Sequence, residues 1–159
     1  MKWYDKDKKA LAGAPTPVAT SAGDTKYYVT QTVNGCTSDF AMITVTVNAI
    51  PVAPSVSAIS PVCQEYTVDN KVLTSAVQKP LGTLTWYPSE DAQGSDKLPT
   101  ISTAKDTVLT FYVTQTVKGC ESSKSKLELE VKATPKAPKV TETIDYCKDT
   151  KAVALTAEK

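Results

Sequence analysis

The sequence contains no histidine. That removes the base from any Ser–His or Cys–His nucleophilic pair, so catalysis of that kind has no support. A zinc site would need four thiolates gathered from distant positions, because the four cysteines show no close Cys-x-x-Cys spacing. Charge of one sign is also lacking. Lys+Arg number 18 against 17 Asp+Glu, a net charge of +1, so no bulk attraction to nucleic acid or anionic lipid is expected. No apolar run approaches the ~20 residues of a membrane-spanning helix. The opening "MKWYDKDKKALAG" has no apolar core behind its positive charges, so it is not a targeting segment, and if the protein is exported its signal lies upstream of this segment. Helical periodicity is nearly absent too: Pro occurs 10 times, Thr and Val are abundant, and the clearest patterns have period two. The hydrophobic fraction of 41% and charged fraction of 22% still belong to a folded globular chain.

What is present is a duplication. "YVTQTVNGC" at Tyr28–Cys36 returns as "YVTQTVKGC" at Tyr112–Cys120, 84 positions later with one letter changed. A unit that builds by stacking copies is duplicated in this way, whereas a catalytic motif rarely is. The same offset lays "PVAP" (Pro51–Pro54) on "PKAP" (Pro135–Pro138), Val56 on Val140 and Cys63 on Cys147. With a one-residue slip, Trp3-Tyr4 falls on Trp86-Tyr87. The Pro-rich stretches "NAIPVAP" and "KATPKAP" mark the boundaries, since Pro cannot donate to a strand ladder and stiffens a short linker.

Three segments follow. Residues 50–134 form a complete unit, residues 1–49 hold the C-terminal portion of one, and residues 135–159 hold the N-terminal portion of another. Neither partial piece is expected to fold unaided. Together they are expected to join into a composite domain, within one chain or between two, with Cys36 near Cys147.

The periodicity predicts an all-β fold. In "KLELEVKA", Leu127, Leu129 and Val131 face a core while Glu128, Glu130 and Lys132 face water; "MITVTVNA" places Ile43, Val45 and Val47 inward and Thr44 and Thr46 outward. Each follows its nonapeptide, which predicts hairpins turning at "VNGCTS" and "VKGCES", where Gly suits a positive φ. About seven short strands in the middle unit, and the order Cys63, Trp86, Cys120, suit a two-sheet sandwich. In "TLTWYP", Leu84 and Trp86 share a face, so Trp86 is expected in the core and Tyr87 outward.

A Pro-rich entry, a Cys before an "LT" strand (Leu73-Thr74, Leu155-Thr156), the "WY" strand, a Pro-Thr stretch and "YYVTQTVNGC" before an alternating strand resemble the bacterial Ig-like repeat family called CHU_C-associated. The resemblance spans nearly the whole chain. It implies tandem immunoglobulin-like β-sandwich repeats of about 84 residues, in large secreted proteins of the bacterial cell surface, adhesins among them. It also implies an oxidising environment, in which a Cys63–Cys120 disulfide is expected, with the Cys36 and Cys147 classes paired likewise in a composite domain. Free buried thiols are the alternative.

Other chemistry is thin. Glu90, Asp91 and Asp96 in "PSEDAQGSD" offer a carboxylate pair or a calcium site, but a solvated loop is the simpler account, because the matching stretch "DKDKKALAGAP" is rich in Lys. Tyr4 and Tyr87, beside Trp3 and Trp86, are the candidate ligand-facing aromatics, although alternation puts one ring of each pair inside. The expected function is that of a non-catalytic spacer in a surface adhesin or filament, whose partners are neighbouring repeats, with self-association through the partial units and no cofactor. The alternative is a carbohydrate-binding module of a secreted glycan-degrading enzyme, contacting a surface glycan.

Overall fold

The computed structural model describes residues 1–78 and 80–158. Strands make up 38% of the chain and helix 4%, in several sheets, so the fold is all-β. Residues 1–47 form β1 (Lys2–Tyr4), β2 (Gly23–Thr30), β3 (Thr32–Val33), β4 (Cys36–Thr37) and β5 (Ala41–Val47). The middle of the chain adds β6 (Ser55–Val56), β7 (Val62–Cys63), the helix α1 (Lys71–Ala76), β8 (Val77–Gln78), β9 (Thr83–Tyr87), β10 (Thr107–Val117), β11 (Cys120–Glu121) and β12 (Ser125–Lys132). Two short strands follow, β13 (Lys139–Val140) and β14 (Ala157–Glu158).

The long strand β10 organises the middle of the chain. β9 pairs along one edge, β11 and then β12 along the other, all antiparallel, and β7 joins β12 in parallel. Val117 pairs with Cys120 across Lys118–Gly119, both at positive φ (49° and 81°), and Val33 pairs with Cys36 across Asn34–Gly35 (51° and 81°). Two successive left-handed residues form the tight hairpin turn whose twist matches the flanking strands. The one variable letter of the nonapeptide is therefore a left-handed position, occupied by Asn in one copy and by Lys in the other.

Just past each turn the ladder slips. Ser122 N–H donates to the Gln115 carbonyl at 2.9 Å, yet Val113 pairs with Ser125, so Ser123 and Lys124 together oppose Thr114. The first hairpin repeats this. Ser38 N–H donates to Gln31, Val29 pairs with Ala41, and Asp39 and Phe40 oppose Thr30. Both are β-bulges, which bend the strand and re-aim its side chains. Trp3 pairs with Val29 as Trp86 pairs with Val113, so the one-residue slip between the two WY pairs leaves the register unchanged.

Along β12 burial alternates as the sequence predicts, with Leu127, Leu129 and Val131 buried and the charged residues between them exposed. The core cluster joins Leu127, Phe111, Val113 and Trp86 of this sheet to Leu73 and Ala76 of α1 and Val77 of β8. Val56 of β6 packs against it, and β6 and β8 pair with each other. Leu73-Thr74 was expected in a strand and lies instead in α1. Asp69 accepts the Lys71 N–H at 2.9 Å, starting a single turn that sets Leu73 and Ala76, three residues apart, on one inward face.

The first hairpin is covered less. Val45 and Val47 of β5 are only half-buried and Ile43 remains 42% exposed, although the alternation has the expected phase. No strand pairing among the described residues joins residues 1–47 to 135–158. Within the latter segment the described residues form only β13 and β14, which pair with each other alone, and the Leu155-Thr156 stretch expected as a strand lies just before β14.

Leu129→Ala is expected to cost about 2–5 kcal/mol, because the side chain is fully enclosed. Val108→Ala, on an exposed position of β10, should stay within about 0.5 kcal/mol. Urea melts of the two variants make the comparison. The same assay should show Lys118→Asn stabilising by about 0.5–1 kcal/mol, since Asn tolerates the left-handed conformation better than Lys.

Candidate functional site: the linker clamp and the outer face of the central sheet

The largest fully buried polar side chain of the central unit, among the described residues, is that of Gln115, with 2% exposure. Its amide Nε2 donates to the Val52 carbonyl at 2.8 Å, and its Oε1 accepts the Leu81 N–H at 2.7 Å. One side chain thus ties the incoming linker to the loop before β9. Ser125 Oγ donates to the Pro54 carbonyl at 2.5 Å, and Asn48 Nδ2 donates to the Lys118 carbonyl at 3.3 Å. The segment from Asn48 to Pro54 contains two prolines, which have no N–H to offer, so the sheet holds it chiefly through its carbonyls.

On the opposite face of β9 and β10, Tyr87 takes part in a second cluster. It was expected to face solvent, and it is 9% exposed. The alternation is right, since Tyr87 and Trp86 point to opposite faces, but the outer face is covered. The stretch after β9 folds back so that Ser95 exchanges both backbone hydrogen bonds with Trp86, at 2.7 and 2.9 Å. A Cβ on Gly94 would stand 2.8 Å from the Tyr87 ring, so only glycine lets the backbone pass there. Lys124, re-aimed by the bulge, sets its Nζ 3.9 Å from the ring centroid and also donates to the Glu90 carbonyl.

Tyr87 Oη donates to Glu121 Oε1 at 2.6 Å, and Thr114 Oγ1 donates to the same oxygen at 2.5 Å. These donors hold the Glu121 carboxyl below its ordinary range, Thr114 most strongly, then Tyr87, with Lys124 adding a favourable charge. The same hydrogen bond pushes the Tyr87 phenol upward. The cluster is structural: the buried Tyr87 and Thr114 both donate to one oxygen of Glu121 and so tie β9, β10 and β11 together.

The matching face of the first hairpin is built differently. Tyr4 and Tyr28 meet Phe40 edge-on, at interplanar angles of 81° and 75°, and Lys8 lies over Phe40 with Nζ 5.0 Å from its centroid. Phe40 occupies the bulge position that Lys124 takes in the other hairpin. Tyr4 and Trp3 are both half-buried. Rings at such steep angles present no flat stacking platform to a sugar. Tyr112 Oη donates to Glu90 at 3.3 Å, and no group of three or more metal-ligating side chains occurs among the described residues.

The cysteines stand apart. All four are unpaired, and the expected Cys63–Cys120 bridge is excluded by the topology. Cys63 pairs with Lys132 at one end of the sheet, and Cys120 pairs with Val117 at the far end of β10. Eleven residues of strand separate these ends by about 30 Å, whereas a disulfide needs Cα atoms within about 7 Å. Cys36 and Cys147 are exposed and belong to segments that do not pair, so they do not meet either. Cys120 donates to the Asn48 carbonyl at 3.8 Å and so serves the linker contact.

Sequence reasoning found neither Gln115 nor Glu121. Gln115 lies inside the repeated nonapeptide, where its recurrence as Gln31 was the available signal; Glu121 carries none, because Thr37 replaces it in the other copy.

Glu121→Gln should destabilise the protein at neutral pH, and the difference should shrink on acidification. A carboxyl depressed by folding contributes fully above its ordinary value of 4.5 and loses that contribution as pH falls through its lower folded value. Urea melts of both proteins between neutral pH and strong acid read this out. A difference that stays constant through acid would contradict the assignment.

A scan against protein-family models finds no match for this chain, and a search of curated proteins finds none either.

Proposed function

We propose that the chain is a non-catalytic segment of tandem Ig-like repeats, a spacer in a large secreted or cell-surface bacterial protein such as an adhesin. The observation that carries this reading is the way the central unit is tied to its linkers. The chain enters beside the first residue of β12, where Ser125 holds the Pro54 carbonyl, and leaves after its last residue, Lys132. Between these points β7 runs parallel to β12, pairing at Val131 and Lys132. The ladder continues with Gln64 N–H donating to the Lys132 carbonyl at 2.7 Å, and Thr134 Oγ1 donates to the Gln64 carbonyl at 2.8 Å.

Tension applied through the two linkers pulls parallel neighbours in opposite directions. Their hydrogen bonds are then loaded together in shear, instead of being peeled open one at a time. A spacer that holds a distant binding element away from a surface needs this arrangement; an enzyme or sugar-binding module does not. The recurrence of the same pairing register and the same bulge in two hairpins, each next to a Pro-rich linker, further supports a stacked array. The Ig-like sandwich description rests on the small β6–β8 ribbon and α1 covering the inner face of the larger sheet. The carbohydrate-binding alternative would depend on an exposed aromatic platform, and Tyr87 is buried beneath Lys124 and Gly94.

Single-molecule stretching of the chain held by its two ends tests the reading. Gln64→Pro, which removes the N–H bonded to Lys132, should lower the unfolding force of the central unit, while Gln64→Ala, which keeps it, should not. Equal forces for both variants would remove the mechanical argument. Saturable binding on a glycan array, with quenching of tryptophan fluorescence, would favour the carbohydrate module instead.

A further inference from the structure

We infer that, in an array of these units, Cys63 of one unit forms a disulfide with Cys120 of the unit that follows it, a covalent tie across the junction between units. This rests on the tandem-array part of the spacer reading and adds to it a specific partner for each thiol. One backbone carbonyl, met twice in the chain, carries it. Asn48 follows the last strand of the first hairpin, and Lys132, 84 positions later, ends that of the second. The pairing registers of the two hairpins coincide up to that point, with Gly23 on Val47 in one and Thr107 on Val131 in the other.

At the exit of the central unit, the Lys132 carbonyl accepts the Gln64 N–H at 2.7 Å, and Cys63, one residue before Gln64, pairs with Lys132 in the parallel ladder. At the entry, the Asn48 carbonyl accepts the Cys120 thiol at 3.8 Å, while the Asn48 side chain donates to the Lys118 carbonyl at 3.3 Å. Carbonyls along a strand in an antiparallel ladder point alternately to its two edges, so a shared register turns residues 48 and 132 the same way, toward the edge that β7 occupies. A carbonyl oxygen has two lone pairs and accommodates both donors. At each junction, Cys63 of the preceding unit and Cys120 of the following one therefore converge on a single carbonyl.

Convergence of this kind is what a disulfide requires, with Cα atoms within about 7 Å. The same two cysteines inside one unit stand about 30 Å apart. Neither thiol is shut in: Cys63 is exposed and lines a recess of about 550 Å³ with Val62, Tyr66, Val68 and Val72, and Cys120 is half-buried. The step is a two-electron oxidation by thiol–disulfide exchange. Each thiol gives up a proton, one S–S bond forms between them, and the two electrons break the S–S bond of a small-molecule disulfide oxidant, which leaves as two thiols. A link from one unit to the next also limits how far an array lengthens once its units unfold.

The test inserts a second copy of residues 50–133 between Ala133 and Thr134 of the full chain, so that Ala133 precedes Ile50 as Ala49 does. One chain retains only Cys63 of the first copy and Cys120 of the second, with every other cysteine replaced by Ser. Oxidised glutathione should link this pair within monomers, seen as the loss of both free thiols and as one cross-linked peptide in non-reducing mapping. The converse chain, retaining Cys120 of the first copy and Cys63 of the second, should keep both thiols free. Single-molecule stretching supplies the second measurement: the oxidised first chain should extend roughly 50 nm less than the reduced one, because the link encloses ~140 residues at about 3.3–3.6 Å each. No link in the first chain, a link between separate chains only, or equal linking in the two chains would each overturn the inference. If that happens while Gln64→Pro still lowers the unfolding force, the array reading stands and the disulfide alone falls.

Discussion

The packing of the central unit depends on the inner face of one hairpin, where β12 alternates Leu127, Leu129 and Val131 against charged neighbours and β10 sets Phe111 and Val113 beside them. The hydrophobic effect requires that face to be covered. Everything else in the unit is arranged to cover it: α1 delivers Leu73 and Ala76, β8 delivers Val77, and β9 brings Trp86 in from the other edge. Because side chains on a strand alternate with period two, the registers of β9 and β12 on β10 cannot shift by one residue without exposing this set. The tight Lys118–Gly119 turn and the bulge at Ser123–Lys124 pin the register of β12.

The outer face of the same sheet follows from that constraint. A five-stranded sheet with both faces wet would leave Tyr87 and Tyr112 standing in solvent. The return of the chain through Gly94 and Ser95 instead encloses Tyr87, and the bulge swings Lys124 over its ring. Two hydroxyl donors then converge on one oxygen of Glu121. Of the residues that distinguish this face from that of the first hairpin, Glu121 lies just before the bulge and Lys124 within it. There Thr37 and Phe40 stand in their places, and an aromatic cluster under Lys8 replaces the carboxylate network.

The linkers complete the picture. A Pro-rich segment has few N–H groups to offer a sheet, so it is gripped by its carbonyls: Gln115 and Ser125 supply the donors, and Asn48 of the linker donates in turn to the Lys118 carbonyl. The exit is gripped by the parallel strand β7 and the Thr134–Gln64 contact at the other end. No helix of the described residues is long and apolar enough to cross a membrane.

Period-two alternation made the all-β class, the inward residues of β12 and the two hairpins legible, because alternation and turn chemistry are local and need only a few adjacent residues. The duplicated nonapeptide likewise showed that two segments would adopt one register. Whether a face is covered is a non-local matter. Tyr87 alternates outward yet is buried by a loop beginning one residue later, and Ile43 alternates inward yet stays exposed because nothing lies across from it. The Cys63–Cys120 bridge failed for the same reason. Its spacing along the chain was plausible, but pairing Cys63 with Lys132 and Cys120 with Val117 places the two at opposite ends of an eleven-residue strand. Local pattern determined which way each strand faces, and only the tertiary structure decided what stands opposite, because that depends on contacts between segments far apart in the chain.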